Sequence, residues 1–345
     1  MQRCIWLAQN GKCNVLPNPM VGAVIVHEGK IIGEGYHIKY GGSHAEVNAV
    51  CSVQNESLLK QAVLYVNLEP CVHYGNTPPC TDLIIEKKIP RVVVGCHDPF
   101  PEVAGRGIRK LIEAGCEVTV GILEKECRQL NKVFFTSNIL NRPYITLKWA
   151  ESSDGYIDLL RYGGTPSPLS TKLTLMQAHK RRAEVDAVMV GTRTAFLDNP
   201  SLSVRYWRGK NPVRIVIDRN LSLATSLHLF DGSAHTLVFT SLSHPSSNSV
   251  EYITLNYETD ILPQIMNILH RKNIRSLLVE GGSHLLQSFI DASLWDEVFV
   301  EQSSRKLSSG VKAPHMSDEN ECTPQFLFNV SYRHYTNSII LYKTL

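Results

Sequence analysis

The sequence has 345 residues, of which 43% are hydrophobic and 19% are charged, and this balance predicts a soluble globular protein with about two domains. The formal net charge of +3 is spread evenly, because residues 1–143 carry 15 basic and 13 acidic groups and the remainder carries 20 and 19. A nucleic-acid-binding protein needs a basic surface on at least one domain, so this charge balance argues against that class.

Two further features limit the class of protein. No stretch approaches about 18 uninterrupted apolar residues, and the amino terminus lacks the pattern of a secretory signal, so we expect a cytoplasmic protein that does not enter a membrane. Eight of the nine cysteines precede residue 143. An odd number of cysteines in a long cytoplasmic chain argues against a disulfide framework, and most of them are expected in the core.

The first 143 residues predict an opening hairpin followed by alternating helices and strands. Such alternation is typical of a mixed sheet with helices on both of its faces. A loop is expected at residues 10–19, because Asn18 precedes a proline. The predicted strands span 21–26, 31–38, 63–68, 91–96 and 116–121, and the predicted helices begin near residue 44 and span 81–87, 107–114 and 123–140.

Three residues in this half have the side chains of a zinc site. His44, Cys71 and Cys80 offer one imidazole nitrogen and two thiolates. Three protein ligands leave a fourth position for water, which is the arrangement of a catalytic zinc, whereas a structural site closes that position. The two prolines at 78–79 suit the start of a helix, where Cys80 would lie near the positive helix end that favours its thiolate.

Glu46 makes the catalytic interpretation more specific. It lies two residues after His44 near a helix start, so its side chain points in a different direction and can face a metal-bound water. Zinc lowers the pKa of that water towards about 7, and a carboxylate beside it can take the proton and deliver it to a leaving amine. Nucleobase deaminases combine His-x-Glu with Pro-Cys-x-x-Cys, but here eight residues separate Cys71 from Cys80. A structural zinc site and three unrelated buried residues are the alternatives.

The segment Gly105-Arg106-Gly107 has two interpretations. Lys110 occupies the position of the third glycine in a dinucleotide-binding fingerprint, so a turn that opens a helix is the simpler prediction. Arg106 could still contact a phosphate there.

The second half begins after Arg142-Pro143, where one helix ends and a new strand starts, so the predicted domains are residues 1–143 and 144–345. Strands are predicted at 144–149, 187–191, 213–218, 235–240 and 276–280, helices at 171–182, 261–271 and 285–292, and an antiparallel hairpin at 325–345.

Two segments of this half could bind phosphate. Glu280-Gly281-Gly282-Ser283 follows a strand and opens a helix, so backbone N–H groups could hold a cofactor phosphate, although a tight turn without a ligand fits equally well. The segment from Asp198 to Arg205 could be a solvated loop, but an acid, an amide and an arginine beside a sheet edge also suit a phosphorylated sugar.

Several motifs, spread over nearly the whole chain, resemble those of a known protein family. They are Asn18-Pro19-Met20-Val21-Gly22-Ala23-Val24, His44-Ala45-Glu46, Leu68-Glu69-Pro70-Cys71, Thr77-Pro78-Pro79-Cys80, Val103-Ala104-Gly105-Arg106-Gly107, Lys148 to Gly155 and Val279 to Ser283. They closely resemble the bifunctional deaminase-reductase of riboflavin biosynthesis, and the eight-residue cysteine gap is characteristic of that family.

This resemblance implies the fold, the reactions and the partners. The fold would be α/β, with an amino-terminal cytidine-deaminase-like α/β/α domain and a carboxy-terminal dihydrofolate-reductase-like α/β domain. The first domain would use zinc to deaminate 2,5-diamino-6-(5-phosphoribosylamino)pyrimidin-4-one to 5-amino-6-(5-phosphoribosylamino)uracil, and the second would use NADPH to reduce the ribosyl group to ribityl. The expected partners are this small phosphorylated pyrimidine and other copies of the chain in a homodimer or homotetramer, with no nucleic acid and no membrane.

The resemblance also assigns roles to individual residues. His44, Cys71 and Cys80 match the zinc ligands, and Glu46 matches the proton shuttle. Lys148 and Glu280 are the candidate catalytic residues of the reductase. The candidate substrate-binding residues are Asn18, His37, His73, Arg106, Arg182, Leu202 and Arg205, and those near the cofactor are Glu151, Thr194, Asp198, Gly282 and Ser283.

A few positions depart from the usual family pattern. Asn76 stands where a lysine or arginine is common, and Phe100 stands where an asparagine is common. In the second half, Glu151 replaces a small residue, Pro168 replaces a tryptophan, and residues 303–305 replace a proline-containing segment. These changes concern substrate affinity and cofactor contacts rather than the zinc chemistry.

Two other classes of function share part of this pattern. A nucleic-acid deaminase would share the zinc chemistry, but it needs a basic, aromatic-lined groove for a flipped base. A zinc-stabilised binding module without catalysis would have no use for Glu46.

Overall fold

The computed structural model describes residues 1–12, 14–74, 78–100, 104–317, 322–327 and 330–337. The chain divides into two compact units, Met1–Asn141 and Arg142–Leu345. The boundary after residue 141 lies close to the one predicted after residue 143.

The first unit contains five strands and six α-helices among its described residues. The strands are β1 (Gly22–His27), β2 (Lys30–Tyr36), β3 (Val63–Leu68), β4 (Arg91–Cys96) and β5 (Glu117–Val120), and the helices are α1 (Gln2–Gln9), α2 (Ala45–Cys51), α3 (Cys80–Glu86), α4 (Arg106–Glu113), α5 (Glu124–Leu130) and α6 (Lys132–Leu140). A 3₁₀ turn spans Glu56–Gln61.

These strands form one mixed sheet in the order β2-β1-β3-β4-β5. Strand β1 is antiparallel to β2 and β3, whereas β3, β4 and β5 are parallel. Buried Ala49, Ile84 and Leu111 bring α2, α3 and α4 onto one core, and buried Ile5 and Phe135 belong to a second core with α1, α5 and α6. The predicted mixed sheet with two covered faces is therefore confirmed.

Two features of this unit differ from the prediction. The sequence pattern did not indicate helix α1, and the single helix expected over 123–140 is divided into α5 and α6 at Asn131. The side chain of Asn131 accepts a hydrogen bond from the Met20 N–H at 2.8 Å and donates one to the Met20 carbonyl at 2.9 Å. Asn131 adopts φ −105° and ψ 24°, away from the α-helical values, so the helix ends there and a new one starts.

The second unit contains the remaining elements. The strands are β6 (Tyr144–Glu151), β7 (Tyr156–Asp158), β8 (Ala187–Gly191), β9 (Val213–Ile217), β10 (Thr236–Thr240), β11 (Val250–Thr254), β12 (Ser276–Val279), β13 (Glu297–Gln302), β14 (Val311–Lys312), β15 (Cys322–Leu327) and β16 (Val330–Thr336), and the helices are α7 (Lys172–Ala183), α8 (Thr192–Asp198), α9 (Ile261–Arg271) and α10 (Ser283–Asp291). A 3₁₀ turn spans His228–Phe230.

Nine of these strands form one sheet in the order β11-β10-β9-β8-β12-β6-β13-β16-β15. The strands from β11 to β13 are parallel to their neighbours, and the hairpin β15/β16 adds an antiparallel edge. An antiparallel hairpin is present over 322–327 and 330–336, so it begins before the predicted range of 325–345, of which residues 338–345 lie outside the described residues. One face of the sheet is covered by α9 and α10, through buried Leu269 and Phe289.

Five strands and α-helices in the described part of this unit were missed, and two of them are the short strands β7 and β14. Strand β13 has the sequence EVFVEQ, and its buried Glu297 and Glu301 conceal the apolar pattern of a strand. Strand β11 was not predicted either, and α8 places Asp198 at the end of a helix rather than at the start of a loop. Among the described residues the longest helix, α7, has 12 residues, and no helix combines the length and apolar character needed to cross a membrane.

The start of the second unit is fixed by a buried ion pair. Arg142 Nη1 lies 2.6 Å from Asp296 Oδ2, and Arg142 Nη2 lies 3.0 Å from Asp296 Oδ1. The same carboxylate accepts the Ile145 N–H at 2.7 Å, so Asp296 holds both the chain before β6 and the strand itself.

We expect Asp296→Ala to lower the free energy of unfolding of the second unit by about 3–5 kcal/mol, because it leaves the buried Arg142 charge without its partner. Urea unfolding followed by tryptophan fluorescence measures this, since three of the four tryptophans lie beyond residue 141. Glu251→Ala removes the exposed pair with Lys272 and should cost less than about 1 kcal/mol. Equal losses in both variants would contradict the role given to Asp296.

Candidate active sites

The structure brings His44, Cys71 and Cys80 together in the first unit. His44 is the N-cap of α2, Cys80 is the first residue of α3, and Cys71 follows β3. His44 Nδ1 lies 3.3 Å from Cys80 Sγ and 3.5 Å from Cys71 Sγ, and all three atoms lie within 4.8 Å of one another. A tetrahedral zinc with ordinary bond lengths holds nitrogen and sulfur ligands about 3.5 Å apart, so these residues fit a zinc ion.

The backbone between the two cysteines explains this approach. The Cys80 N–H donates to Cys71 Sγ at 3.4 Å, and the Thr81 N–H donates to the Cys71 carbonyl at 3.2 Å. The hydrogen bond from Cys80, helped by the one from His44, outweighs burial and lowers the pKa of Cys71 to about 4. These hydrogen bonds therefore favour the thiolate of Cys71, which is the form that binds a metal, whereas the hydrogen bond with Cys71 raises the pKa of Cys80, the residue for which a thiolate was expected.

Glu46 lies in the first turn of α2 and is 3% exposed. It lies outside the group of His44, Cys71 and Cys80 that could hold a metal ion. Burial is the main cause that raises the pKa of Glu46 to about 7, and the negative charge of Cys71 adds to it. A carboxyl group in this environment can both accept and release a proton near neutral pH.

Two of the predicted pocket residues adjoin this group. Asn18 Nδ2 lies 3.3 Å from His37 Nε2, and His37 Nδ1 lies 3.0 Å from the Ser43 carbonyl oxygen. The rings of His37 and His44 meet edge to face, with centroids 5.5 Å apart. Burial lowers the pKa of His37, so we assign it the neutral form, with the proton on Nδ1.

The other predicted residues of this unit are exposed or lie outside the described chain. The side chains of His73 and Arg106 face solvent, and Arg106 is the first residue of α4. The segment Gly105-Arg106-Gly107 is thus a turn that opens a helix. Phe100 is 37% exposed, and Asn76 lies outside the described residues.

The second unit contains a cavity of about 1290 Å³. Six of the predicted residues line it: Lys148, Thr194, Asp198, Glu280, Gly282 and Ser283. Small-molecule pockets usually measure about 300–1000 Å³, so this cavity has room for a dinucleotide beside part of a second ligand. His284 also lines it, so the cavity runs along the start of α10, where backbone N–H groups favour a phosphate.

Glu280 is held by a bidentate pair with Arg182 at the edge of this cavity. Arg182 Nε donates to Glu280 Oε1 at 2.8 Å, and Arg182 Nη2 donates to Glu280 Oε2 at 2.5 Å. Burial would raise the pKa of Glu280, but the charge and hydrogen bonds of Arg182, together with the charge of Lys148, hold it below its usual value. Glu280 is therefore an ionised carboxylate beside Lys148.

Four predicted residues do not line the cavity. The Glu151 carboxylate accepts the Trp149 indole N–H at 2.9 Å and pairs with Arg333, so it is used within the sheet. Leu202 is buried in the core, whereas Arg205 is exposed, with Nη1 3.1 Å from Ser201 Oγ. The fourth is Arg182, whose guanidinium is bound to Glu280.

Both halves of the chain match known protein families. Residues 1–96 match the family "cytidine and deoxycytidylate deaminase zinc-binding region", and residues 143–305 match the "RibD C-terminal domain". The riboflavin biosynthesis protein RibD of Aquifex aeolicus is 40% identical over 90% of this chain and 88% of its own length, and that of Bacillus amyloliquefaciens is 38% identical over 86% and 82%. The crystal structure of the diaminohydroxyphosphoribosylaminopyrimidine deaminase/5-amino-6-(5-phosphoribosylamino)uracil reductase of Thermotoga maritima is 36% identical, covers 97% of both chains and has a TM-score of 0.87.

The chain belongs to the RibD family. It is a bifunctional enzyme of riboflavin biosynthesis, with a zinc-dependent deaminase region and an NADPH-dependent reductase region. The expected fold class and the family resemblance of the sequence are both confirmed. The roles of individual residues stay predictions.

Several residues of this RibD-family chain that shape the two sites were not found from the sequence. Asn67 donates to the Met20 carbonyl at 3.1 Å and accepts from the Gly22 N–H at 2.7 Å, and with Asn131 it holds the segment that carries Asn18. In the reductase cavity, Arg161 binds Asp158 and Asp198. These partners are far apart in the sequence, and a lone asparagine or arginine carries no local signal of such a contact.

We expect Cys80→Ala to lose bound zinc together with deaminase activity, because it removes one of three convergent ligands. Metal analysis of the purified protein measures the zinc content. Cys51→Ala is the matched control, since Cys51 is an exposed thiol outside the group, and it should keep one zinc per chain. Full zinc content in the Cys80→Ala protein would show that the ligand set is wrong.

Proposed function

We propose that residues 1–143 form the deaminase and residues 144–345 form the reductase. The deaminase substrate is 2,5-diamino-6-(5-phosphoribosylamino)pyrimidin-4-one, and its product, 5-amino-6-(5-phosphoribosylamino)uracil, is reduced to the ribityl compound. The observation that carries the proposal is the convergence of His44, Cys71 and Cys80 beside the buried Glu46. Incubation with the diaminopyrimidinone phosphate should release ammonia without NADPH and should oxidise NADPH only after that step.

In the deaminase, Glu46 is the group that moves protons. Zinc, when bound, supplies the Lewis acid that activates water. Glu46 accepts a proton from that water and delivers it to the leaving amine, which suits a buried carboxyl group whose pKa is about 7. Asn18, His37 and His73 contact the pyrimidine, and Arg106 contacts the phosphate.

Glu46→Gln should keep zinc and lose deamination by about 10²–10⁴-fold, because the amide fills the same space but cannot shuttle a proton. Ammonia release and zinc content are measured on the same sample. Reduction of the deaminated intermediate serves as the internal control and should be unchanged. Near-normal ammonia release, or loss of zinc, would rule out the proposed role.

In the reductase, Lys148 and Glu280 face the ribosyl group. NADPH, when bound, supplies the hydride. Lys148 lies on β6 and Glu280 directly follows β12, so two neighbouring strands aim both side chains into the cavity. Arg182 holds the Glu280 carboxylate in place, which leaves the exposed Arg205 to bind the phosphate.

The cofactor is expected along Thr194, Asp198, Gly282 and Ser283, because these residues line the same cavity. Glu151 and Leu202 would act on the ligands only through their neighbours, since neither lines it.

Lys148→Met and Glu280→Gln should each abolish NADPH oxidation with the deaminated intermediate while ammonia release continues. Both changes remove a charge that faces the cavity and keep the size of the side chain. Lys272→Met, at the exposed end of α9, is the control and should oxidise NADPH normally. If either cavity variant keeps half of the normal rate, its residue does not take part in the reduction.

The chain acts on a phosphorylated pyrimidine, and we propose that it does so in the cytoplasm, as a homodimer or homotetramer and without nucleic acid. No disulfide joins the seven cysteines whose side chains the structure describes, which supports a reducing compartment. The family resemblance is the support for an oligomer.

A further inference from the structure

The carboxylate of Glu69 collects four backbone N–H groups. Glu69 is 4% exposed and lies between the end of β3 and the zinc ligand Cys71. Its Oε1 accepts the N–H groups of Gly107 at 2.9 Å and Ile108 at 3.3 Å. Its Oε2 accepts those of Gly105 at 3.0 Å and Asp98 at 3.3 Å, and it also lies 3.4 Å from His97 Nδ1.

Three of these donors belong to the start of helix α4. Gly105 is the N-cap, with φ +71°, and glycine has no side chain that could cap the helix itself. Glu69 supplies the missing cap from a different part of the chain. Three N–H groups at the start of α4 are therefore already bound to an internal anion, so we assign a substrate phosphate here to the Arg106 side chain rather than to these backbone groups.

Residues 69–71 and the start of α4 are also packed against each other without a gap. A Cβ atom on Gly107 would lie 2.2 Å from the Pro70 carbonyl oxygen, so no other residue fits there without moving α4. Pro70 directly precedes Cys71. Residues 69–71 thus carry a zinc ligand on one side and fix the start of α4 on the other.

We propose that Glu69 is a positioning residue of the deaminase, which sets the phosphate-binding Arg106 at a fixed distance from the zinc ligands. The proposal rests on the role given to Arg106 in the proposed function. Glu69 does not touch the substrate. It aligns the phosphate so that the pyrimidine carbon to be attacked lies beside the metal and Glu46.

The chemistry of the contact requires a carboxylate. A carboxylate only accepts hydrogen bonds, and each oxygen of Glu69 accepts two. Glutamine would place an NH₂ group against two N–H donors, whichever way it turned. We therefore expect Glu69→Gln to free the start of α4 without removing any side chain that contacts the substrate.

The test compares the phosphorylated substrate with its dephosphorylated form in the full-length zinc enzyme. Arg106→Ala should lower kcat/KM for the phosphorylated substrate by about 10–100-fold, the usual effect of losing hydrogen bonds to a charged group, and leave the dephosphorylated form unchanged. Glu69→Gln should lower kcat/KM for the phosphorylated substrate by about 10-fold or more, again without affecting the dephosphorylated form. The loss should appear mainly in KM, because a shift of about 1 Å in the position of Arg106 is costly. The double variant should show a selective loss for the phosphorylated substrate that is no smaller than that of Arg106→Ala alone.

Zinc content is measured in each variant. If Glu69→Gln loses zinc, Gly107→Ala is used to test the positioning role instead. This change displaces α4 from Pro70 while keeping both Glu69 and Arg106. Gly107→Ala should show the same selective loss for the phosphorylated substrate.

Three results would overturn the proposal. Equal losses for both substrates in Glu69→Gln, or in Gly107→Ala where that variant decides, would mean that Glu69 only stabilises the fold. Selectivity in Arg106→Ala without any in these variants would leave the proposed function intact and remove the role of Glu69. No selectivity in Arg106→Ala would show that the role of Arg106 itself is wrong, and the inference would fall with it.

Discussion

Two helices that start at the same place make the deaminase site possible. His44 caps α2 and Cys80 begins α3, so the positive ends of both helices point at the three ligand atoms. Cys71 reaches the same point because the buried strand β3 ends just before it. The hydrogen bonds from Cys80 and His44 favour the thiolate of Cys71 at this point.

Helix starts are used in opposite ways in the two units. At α4 the Glu69 carboxylate accepts the N–H groups of Gly107 and Ile108, so these groups are not available to a ligand. At α10 the corresponding residues, Gly282 and Ser283, line a large cavity and are available to a phosphate. The same physical feature therefore fixes the structure at one site and can bind a ligand at the other.

The reductase unit keeps several buried charges that pair within the sheet. Glu151, where the family usually has a small residue, binds Trp149 and Arg333. Its carbonyl accepts the Ser303 N–H at 2.8 Å, and Arg305 Nη1 donates to the Pro168 carbonyl at 3.1 Å. Hydrogen bonds to backbone carbonyls thus join the unusual residues of this half in two pairs, and the contacts of the Glu151 carboxylate with Trp149 and Arg333 explain why a buried acid is tolerated at position 151.

The sequence by itself predicted the α/β organisation and the family, which are confirmed, and it named His44, Cys71, Cys80 and Glu46 as a candidate site. These predictions depend on apolar periodicity and on side chains of unmistakable chemistry within short motifs. The tertiary structure alone decided three features. These are the division of the helix predicted over 123–140 at Asn131, the strand β13 with its buried glutamates, and the pairing of Glu280 with Arg182. It also gave Glu69 its partners, which lie 29 to 39 residues away. Such contacts form between groups that are distant in the chain, and no local pattern of residues encodes which acceptor a buried donor will meet.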